Sequence, residues 1–464
     1  MFSTFLSKSR DSLKQLVKEL RKHFAYVSVL GTDNKGMSYR VEREASFIAE
    51  SEDTERGFVV KMSNGKAFFE YSFDKLPKDI KAFAKEIVSK VELPKLNENE
   101  VDTEPVDDTP LVKDFVREND INQFSNEEIM KQLSILKDKV FAKDQHFVSA
   151  FCVMSTLTIS KIFISENREL TQNYGWANGY IVGFYTDERM VVVRETSDSN
   201  FLKEVLDTLP TRIDALLNKA QHLVKAKAVT PGVYDIITDP SITGLIAHEA
   251  FGHGVEMDQF VKDRAVGQQY IGKYVASPLV NMHDGASATS AVASYFFDDD
   301  GVLAHDTLII KDGILQTGIC DLVSSRELKT NPTGNGRRES FRNKAYTRMT
   351  NTFFEKGKDK LEDMIKSVKH GYMLFETNNG MEDPKNWAIQ CVAEYGIEII
   401  DGKLTDNYVS PVVMSGYVPD LLKSISMISD DFKIDSGGFC GKGYKEWVRV
   451  SDGGPALKAR VKLS

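Results

Sequence analysis

The sequence predicts an α+β protein: an N-terminal α/β domain over residues 1–228, then a β-rich C-terminal domain over 229–464 that carries one chemically loaded helix. Three observations support this. The first half alternates helix-period and strand-period stretches. Val229-Thr230-Pro231-Gly232 then stops a long amphipathic pattern, and the boundary falls there. Beyond it, short strand-like runs separated by Gly, Asp, Asn and Pro dominate. A chain of 464 residues is also too long for one core of ordinary size.

In order along the chain, Leu13, Leu16, Val17 and Leu20 recur at helical spacing within Met1 to Phe24, predicting an amphipathic helix on a core. Ala25–Leu30 reads as a strand. Gly57–Lys61 and Lys66–Tyr71 flank Asn64-Gly65, a strong hairpin signal. Asp79–Val91 reads as a helix, and the acidic, proline-bearing stretch Leu93–Leu111 as an exposed loop. Ser125-Asn126-Glu127-Glu128 has the form of a capping box, followed by Ile129, Leu133, Leu136 and Val140 on one helical face. Val148–Ser165 and Tyr180–Arg194 are rich in β-branched and aromatic residues and predict strands. One long helix is expected from Asn200 to about Lys227.

In the second half the strands expected are Val233–Thr238, Val302–Lys311, Ile314–Gly318, Ala388–Asp401, Lys403–Ser410 and Val412–Tyr417. Asp312-Gly313 and Asp401-Gly402 read as hairpin turns. Helices are expected at Ile242–Glu256, Asp359–Lys369 and Pro419–Met427.

Bulk properties narrow the function. The hydrophobic fraction is 41% and the charged fraction 27%, near the globular average. A net charge of −9 argues against nucleic acid as a partner, because phosphate binding calls for a basic excess. No apolar run approaches the roughly 20 residues that span a bilayer, so no membrane segment is expected. Cys152, Cys320, Cys391 and Cys440 lie far apart and form no CxxC pair, so a disulfide scaffold is not expected. With no signal-peptide pattern at the N-terminus, the cytoplasm fits best.

The chemistry concentrates in His248-Glu249-Ala250-Phe251-Gly252-His253, an HExxxH pattern. Histidines four apart share one helical face and bind zinc in the familiar HExxH arrangement. Five apart, they diverge by roughly 140° on an ideal α-helix. The helix must therefore widen locally, as in a π-bulge, for both rings to meet one ion. Gly252 supplies a permissive backbone there. His248 and His253 are then zinc ligands, and Glu249 is the base that takes a proton from the attacking water. Catalytic zinc usually has three protein ligands, so a third is needed. Cys440, framed by glycines in Gly437-Gly438-Phe439-Cys440-Gly441, is one candidate. His283, His305, Glu256 and Asp258 are the others, and the last two also suit the role of orienting the histidines.

These residues resemble the TldD/PmbA metalloprotease family, in its metal-binding, TldD-like branch. Gly244 to Glu256 looks like the family signature, as do Gly334-Asn335-Gly336-Arg337-Arg338-Glu339-Ser340 and Arg348-Met349-Thr350-Asn351-Thr352. Arg56-Gly57-Phe58-Val59-Val60 and Phe439-Cys440-Gly441-Lys442 fit too. The resemblance is dense after Val229 and thin before it. It implies one Zn²⁺ per chain, held by His248, His253 and Cys440, with Glu249 catalytic. It implies cleavage of unstructured peptides or unfolded protein segments, and a homodimer or a heterodimer with a PmbA-like subunit. The alternative is a non-catalytic zinc-binding regulatory subunit of a protease complex. Glu249 discriminates, because a structural zinc site has no need of a carboxylate beside its first histidine. The basic residues Arg337, Arg338, Arg342, Lys344 and Arg348 read as braces for the fold, with a substrate carboxylate as the sharper option.

Overall fold

The computed structural model describes residues 2–91, 106–435, 438–444 and 446–464. The predicted acidic loop falls largely outside them; its described end, residues 106–110, leads into a strand beginning at Leu111.

Eight strands form the first sheet: β1 (Tyr26–Val41), β2 (Ser46–Glu50), β3 (Glu55–Ser63), β4 (Phe68–Phe73), β5 (Leu111–Val116), β6 (Phe147–Ile164), β7 (Arg168–Thr186) and β8 (Met190–Ser199). The order is β4-β3-β1-β6-β7-β5, with β2 added to β1 and β8 to β7. Strand alternation gives this sheet two different faces. Along β6, the even-numbered Cys152, Met154, Ile162 and Ile164 face the helices. Helix Thr4–Leu20 buries Leu6, Leu13, Leu16 and Leu20 there, and helix Asn126–Lys143 buries Ile129, Leu133, Leu136 and Val140. The capping box forms as expected: Ser125 accepts from the Glu128 amide while the Glu128 carboxylate accepts from the Ser125 amide. The odd-numbered Leu157 and Ile159, with Tyr174 and Trp176, pack on Ala286, Val292 and Tyr295 from the second half of the chain.

The structure differs from the sequence reading in several elements. The helix expected over 200–227 is two helices, Leu202–Thr208 and Ile213–Leu223, joined by a 3₁₀ turn at Leu209–Arg212. Pro210 lacks an amide donor and cannot continue the i to i−4 ladder, so the α-helix gives way to a 3₁₀ turn there. The run Tyr180–Arg194 is divided between β7 and β8. Val302–Lys311 yields a strand only at Thr307–Lys311.

In the second half, strand Gly232–Thr238 pairs in parallel with His370–Asp383 and antiparallel with Leu457–Leu463. The latter meets Val412–Tyr417, which pairs with Ala388–Ile400. That strand pairs back onto His370–Asp383, so the neighbour relations close into a ring. Asp312-Gly313 and Asp401-Gly402 turn two hairpins with both residues at positive φ, the geometry that Asp-Gly pairs supply. Core side chains Ile236, Leu374, Ala393, Met414 and Leu457 join one cluster with Ile242, Leu245, Ile246 and Phe251. The chemically loaded helix is thus packed on the ring by its own apolar residues.

Candidate metal centre

The helix begins at Asp239, whose Oδ1 accepts from the Ile242 amide at 2.8 Å, and Pro240 occupies its first turn. It is α-helical only over Pro240–Leu245. Ile246–Gly252 is π-helix, and His253–Val255 is a 3₁₀ turn. The widening expected from the five-residue spacing is what the backbone does. A π step needs about one turn for an i to i+5 separation, so the two imidazoles return to the same side. Their ring centroids lie 5.2 Å apart with perpendicular planes. Met349 Sδ sits where a side chain on Gly252 would project, so any larger residue there would have to displace Met349.

Glu249 projects between the rings. Its Oε1 lies 3.9 Å from His248 Nε2 and its Oε2 3.8 Å from His253 Nε2. Strand His370–Asp383 forms the wall behind it. A β-carbon on Gly380 would stand 2.7 Å from Glu249 Cγ and 2.9 Å from Leu245 Cδ1.

Cys440 arrives from a hairpin, Phe439–Lys442 with Glu446–Arg449. Its Sγ lies 3.5 Å from His253 Nε2. One ligand atom each from His248, His253 and Cys440 lie within 4.8 Å of one another. Arg348, only 1% exposed, donates to the Glu446 carbonyl at 3.1 Å and to the Cys440 carbonyl, fixing the hairpin from below. The other candidates for a third ligand stand elsewhere or do other work. Glu256 accepts from or faces His253 Nδ1 at 3.1 Å, on the ring edge away from Cys440. Lys442 bridges Glu256 at 3.0 Å, Asp258 at 2.8 Å and the Thr347 carbonyl at 2.9 Å. His283 is engaged by Asp306 at 2.7 Å and Glu355 at 2.9 Å, and His305 is absent from the cluster.

Electrostatics separate Cys440 from the other thiols. Burial pushes Cys152, Cys320 and Cys391 up to about 12. Burial acts on Cys440 too, but the His253 and His248 imidazoles beside it outweigh that and hold it well below the usual thiol value. Reciprocally, burial would lower His248, yet the adjacent thiolate raises it to about 9. A thiolate enclosed by two imidazoles demands positive charge. His248 Nδ1 is also buried without a hydrogen-bond partner. This donor set, two imidazoles and one thiolate with no fourth side chain in the described cluster, fits a zinc ion with an open position.

The basic cluster braces the fold. Arg337 donates to the Met349 and Arg449 carbonyls, both at 2.6 Å, and Arg338 grips Glu70 with two nitrogens at 3.2 and 3.0 Å. Arg342 lies over the Phe341 ring and Lys344 over Tyr346. Sequence reasoning missed Gly380 and Lys442. The second was findable: on a strand it shares the face of Cys440, two residues away.

The chain belongs to the PmbA/TldD family. Residues 231–462 match the model of the PmbA/TldA metallopeptidase C-terminal domain. Among particular relatives, Metalloprotease MJ0996 of Methanocaldococcus jannaschii is 33% identical over 247 residues, 53% of this chain and 54% of that protein. A metalloprotease TldD homolog of Haemophilus influenzae is 34% identical over 51% of this chain and 50% of its own length. A zinc metalloprotease TldD homolog of Saccharolobus solfataricus is 30% identical over 58% and 62%. The chain spans about half the length of the curated relatives it matches. The fold is shared with TldE of Thermococcus kodakarensis, at a TM-score of 0.75 and 16% identity over 98% of this chain and 100% of that one. A Thermotoga maritima protein gives 0.76 at 16% identity over 99% and 100%. Among the described residues no helix is long and apolar enough to cross a membrane.

Proposed function

We propose that the protein is a zinc-dependent peptidase acting on unstructured peptides or unfolded protein segments, with one zinc per chain held by His248, His253 and Cys440. The observation that carries this reading is the convergence of those three side chains within 4.8 Å, with Glu249 between the imidazoles. When bound, zinc supplies a Lewis acid that polarises a carbonyl and acidifies water. Glu249 accepts the proton of the attacking water and returns it to the departing amide nitrogen. Glu256 holds His253 by its Nδ1 edge and fixes the ring's orientation, while Lys442 balances the charge of Glu256 and Asp258. Relatives named metalloproteases support the same reading.

Residues 1–228 form the first domain and 229–464 the metalloprotease domain, in the cytoplasm. The working unit is a homodimer or a heterodimer with a PmbA-like subunit; the fold shared with a protein named TldE motivates the second option. The test is metal analysis of the purified protein, with cleavage of an unfolded protein assayed with and without a chelator. One zinc per chain and chelator-sensitive cleavage are expected, and His248→Ala or His253→Ala should lose the metal. Full zinc occupancy in either variant would remove the site.

A further inference from the structure

The hairpin that delivers Cys440 has two faces with different attachments. Cross-strand partners share a face, so the register Cys440↔Val448 and Lys442↔Glu446 defines an inner face, turned to the histidines. Phe439↔Arg449 and Gly441↔Trp447 define the outer one. The hairpin pairs only with itself among the described strands. A two-stranded ribbon without further ladder is marginal in water, so its side chains must hold it in place. Inside, Arg348 binds the Cys440 and Glu446 carbonyls. Outside, Glu339 accepts from the Trp447 amide at 3.1 Å, and the side-chain clamps come from the first sheet. Trp176 of β7 meets the Phe439 ring edge-on at 6.4 Å. The Arg449 guanidinium lies 5.0 Å from the Trp176 centroid and 5.2 Å from that of Phe439. Asp198 of β8 accepts from Arg449 Nη2 at 2.6 Å. Arg449 is only 8% exposed and Trp176 only 4%.

We infer that the first sheet sets the metal affinity of the site from the far side of the hairpin, with Trp176 and Asp198 as positioning residues for Cys440. This rests on the zinc reading above. Neither residue belongs to the ligand cluster or to the groups that orient the histidines. Loosening the outer face lets the ribbon pivot on its inner anchors, Arg348 and Lys442, and the thiolate shifts from its place near the imidazoles. Residues that orient a ligand from outside the coordination sphere are typically worth about 10–100-fold in metal affinity.

The experiment measures the zinc dissociation constant of the full chain by competition with a chromophoric chelator, alongside thermal melting. Trp176→Ala and Asp198→Ala should each weaken zinc binding by about 10-fold or more, and Trp176→Phe should restore most of it by keeping an aromatic ring against Phe439 and Arg449. Leu16→Ala serves as the control. Leu16 belongs to helix Thr4–Leu20 and is buried against the opposite face of the same sheet, so its loss should lower the melting temperature and leave zinc affinity at the parent value. Should Trp176→Ala fail to fold, Asp198→Asn carries the test, since it removes the charge and keeps the packing. Parent affinity in the Trp176 and Asp198 variants overturns the inference, as does an equal loss in Leu16→Ala. A parent chain that takes up no zinc overturns the zinc reading itself, and the coupling with it.

Discussion

Gly380→Ala is the sharpest perturbation of the proposed chemistry that leaves every candidate ligand in place. An alanine β-carbon at this position would lie 2.7 Å from Glu249 Cγ, 2.8 Å from its Cβ and 2.9 Å from Leu245 Cδ1. Carbon atoms in comfortable contact stand about 3.5–4.0 Å apart. Glu249 must therefore retreat by roughly 1 Å, or the strand must bow outward by as much. A displacement of that size at a reacting group costs about 100-fold in rate, equivalent to about 2.7 kcal/mol of barrier. Overpacking should cost a further 1–3 kcal/mol of stability, or about that. The atoms nearest that β-carbon belong to Glu249 and Leu245 rather than to a candidate ligand, so metal content should not change. The assay compares kcat/KM on an unfolded protein substrate with zinc per chain and melting temperature in the same preparations. Full zinc with about a 100-fold loss of kcat/KM is expected. A variant that cleaves at the parent rate would refute the argument that this wall fixes Glu249.

Other outcomes follow from the same geometry. Glu249→Gln should keep zinc and lose cleavage by about 10²–10⁴-fold, the usual worth of a general base; near-normal turnover would leave the base unassigned. Cys440→Ser should lose zinc affinity strongly, whereas Cys152→Ser, Cys320→Ser and Cys391→Ser should retain it, since none of those thiols is among the clustered ligand atoms. Equal retention in all four would move the third ligand elsewhere. Burial raises Glu55 to about 7, even though the Phe341 amide donates to it at 2.9 Å. Its folded value exceeds its unfolded one, so the folded state holds the proton more tightly. Its contribution to stability is therefore greatest below the unfolded value and falls as pH rises to about 7. Glu55→Gln should gain stability over the parent at pH above about 7 relative to acidic pH, measured by denaturant titration at both. An identical difference at the two pH values would contradict this.

Much of the site was legible because it is local. The five-residue spacing of His248 and His253 forces a widened helix, and the backbone supplies one at Ile246–Gly252. The capping box at Ser125 and the Asp-Gly turns were legible for the same reason: short-range geometry needs particular residues at fixed offsets. Pro210 carried a readable signal too, but strong flanking periodicity masked it. What the sequence withheld is long-range. Strand His370–Asp383 contains Thr377, Asn379 and Gly380, and its polar stretch hides a strand that pairs on both sides of the ring. Nothing in the run Arg337–Arg348 announced that Arg348 would be the most enclosed of its charges, spent on two carbonyls of a hairpin roughly a hundred residues away.

The closed ring of strands also fixes an order of assembly. Gly232 pairs with Leu463 and Val233 with Lys462, so the ring cannot shut until its last strand has been synthesised. At the usual pace of translation, about 5–20 residues per second, that strand lags the HExxxH helix by about 10–40 seconds. Cys440 follows His253 by 187 residues and also emerges late. During that interval the ring stays open and the two histidines wait without their thiolate neighbour. Contacts this distant in sequence form slowly. The three candidate ligands can therefore meet only late in synthesis, after Cys440 has emerged.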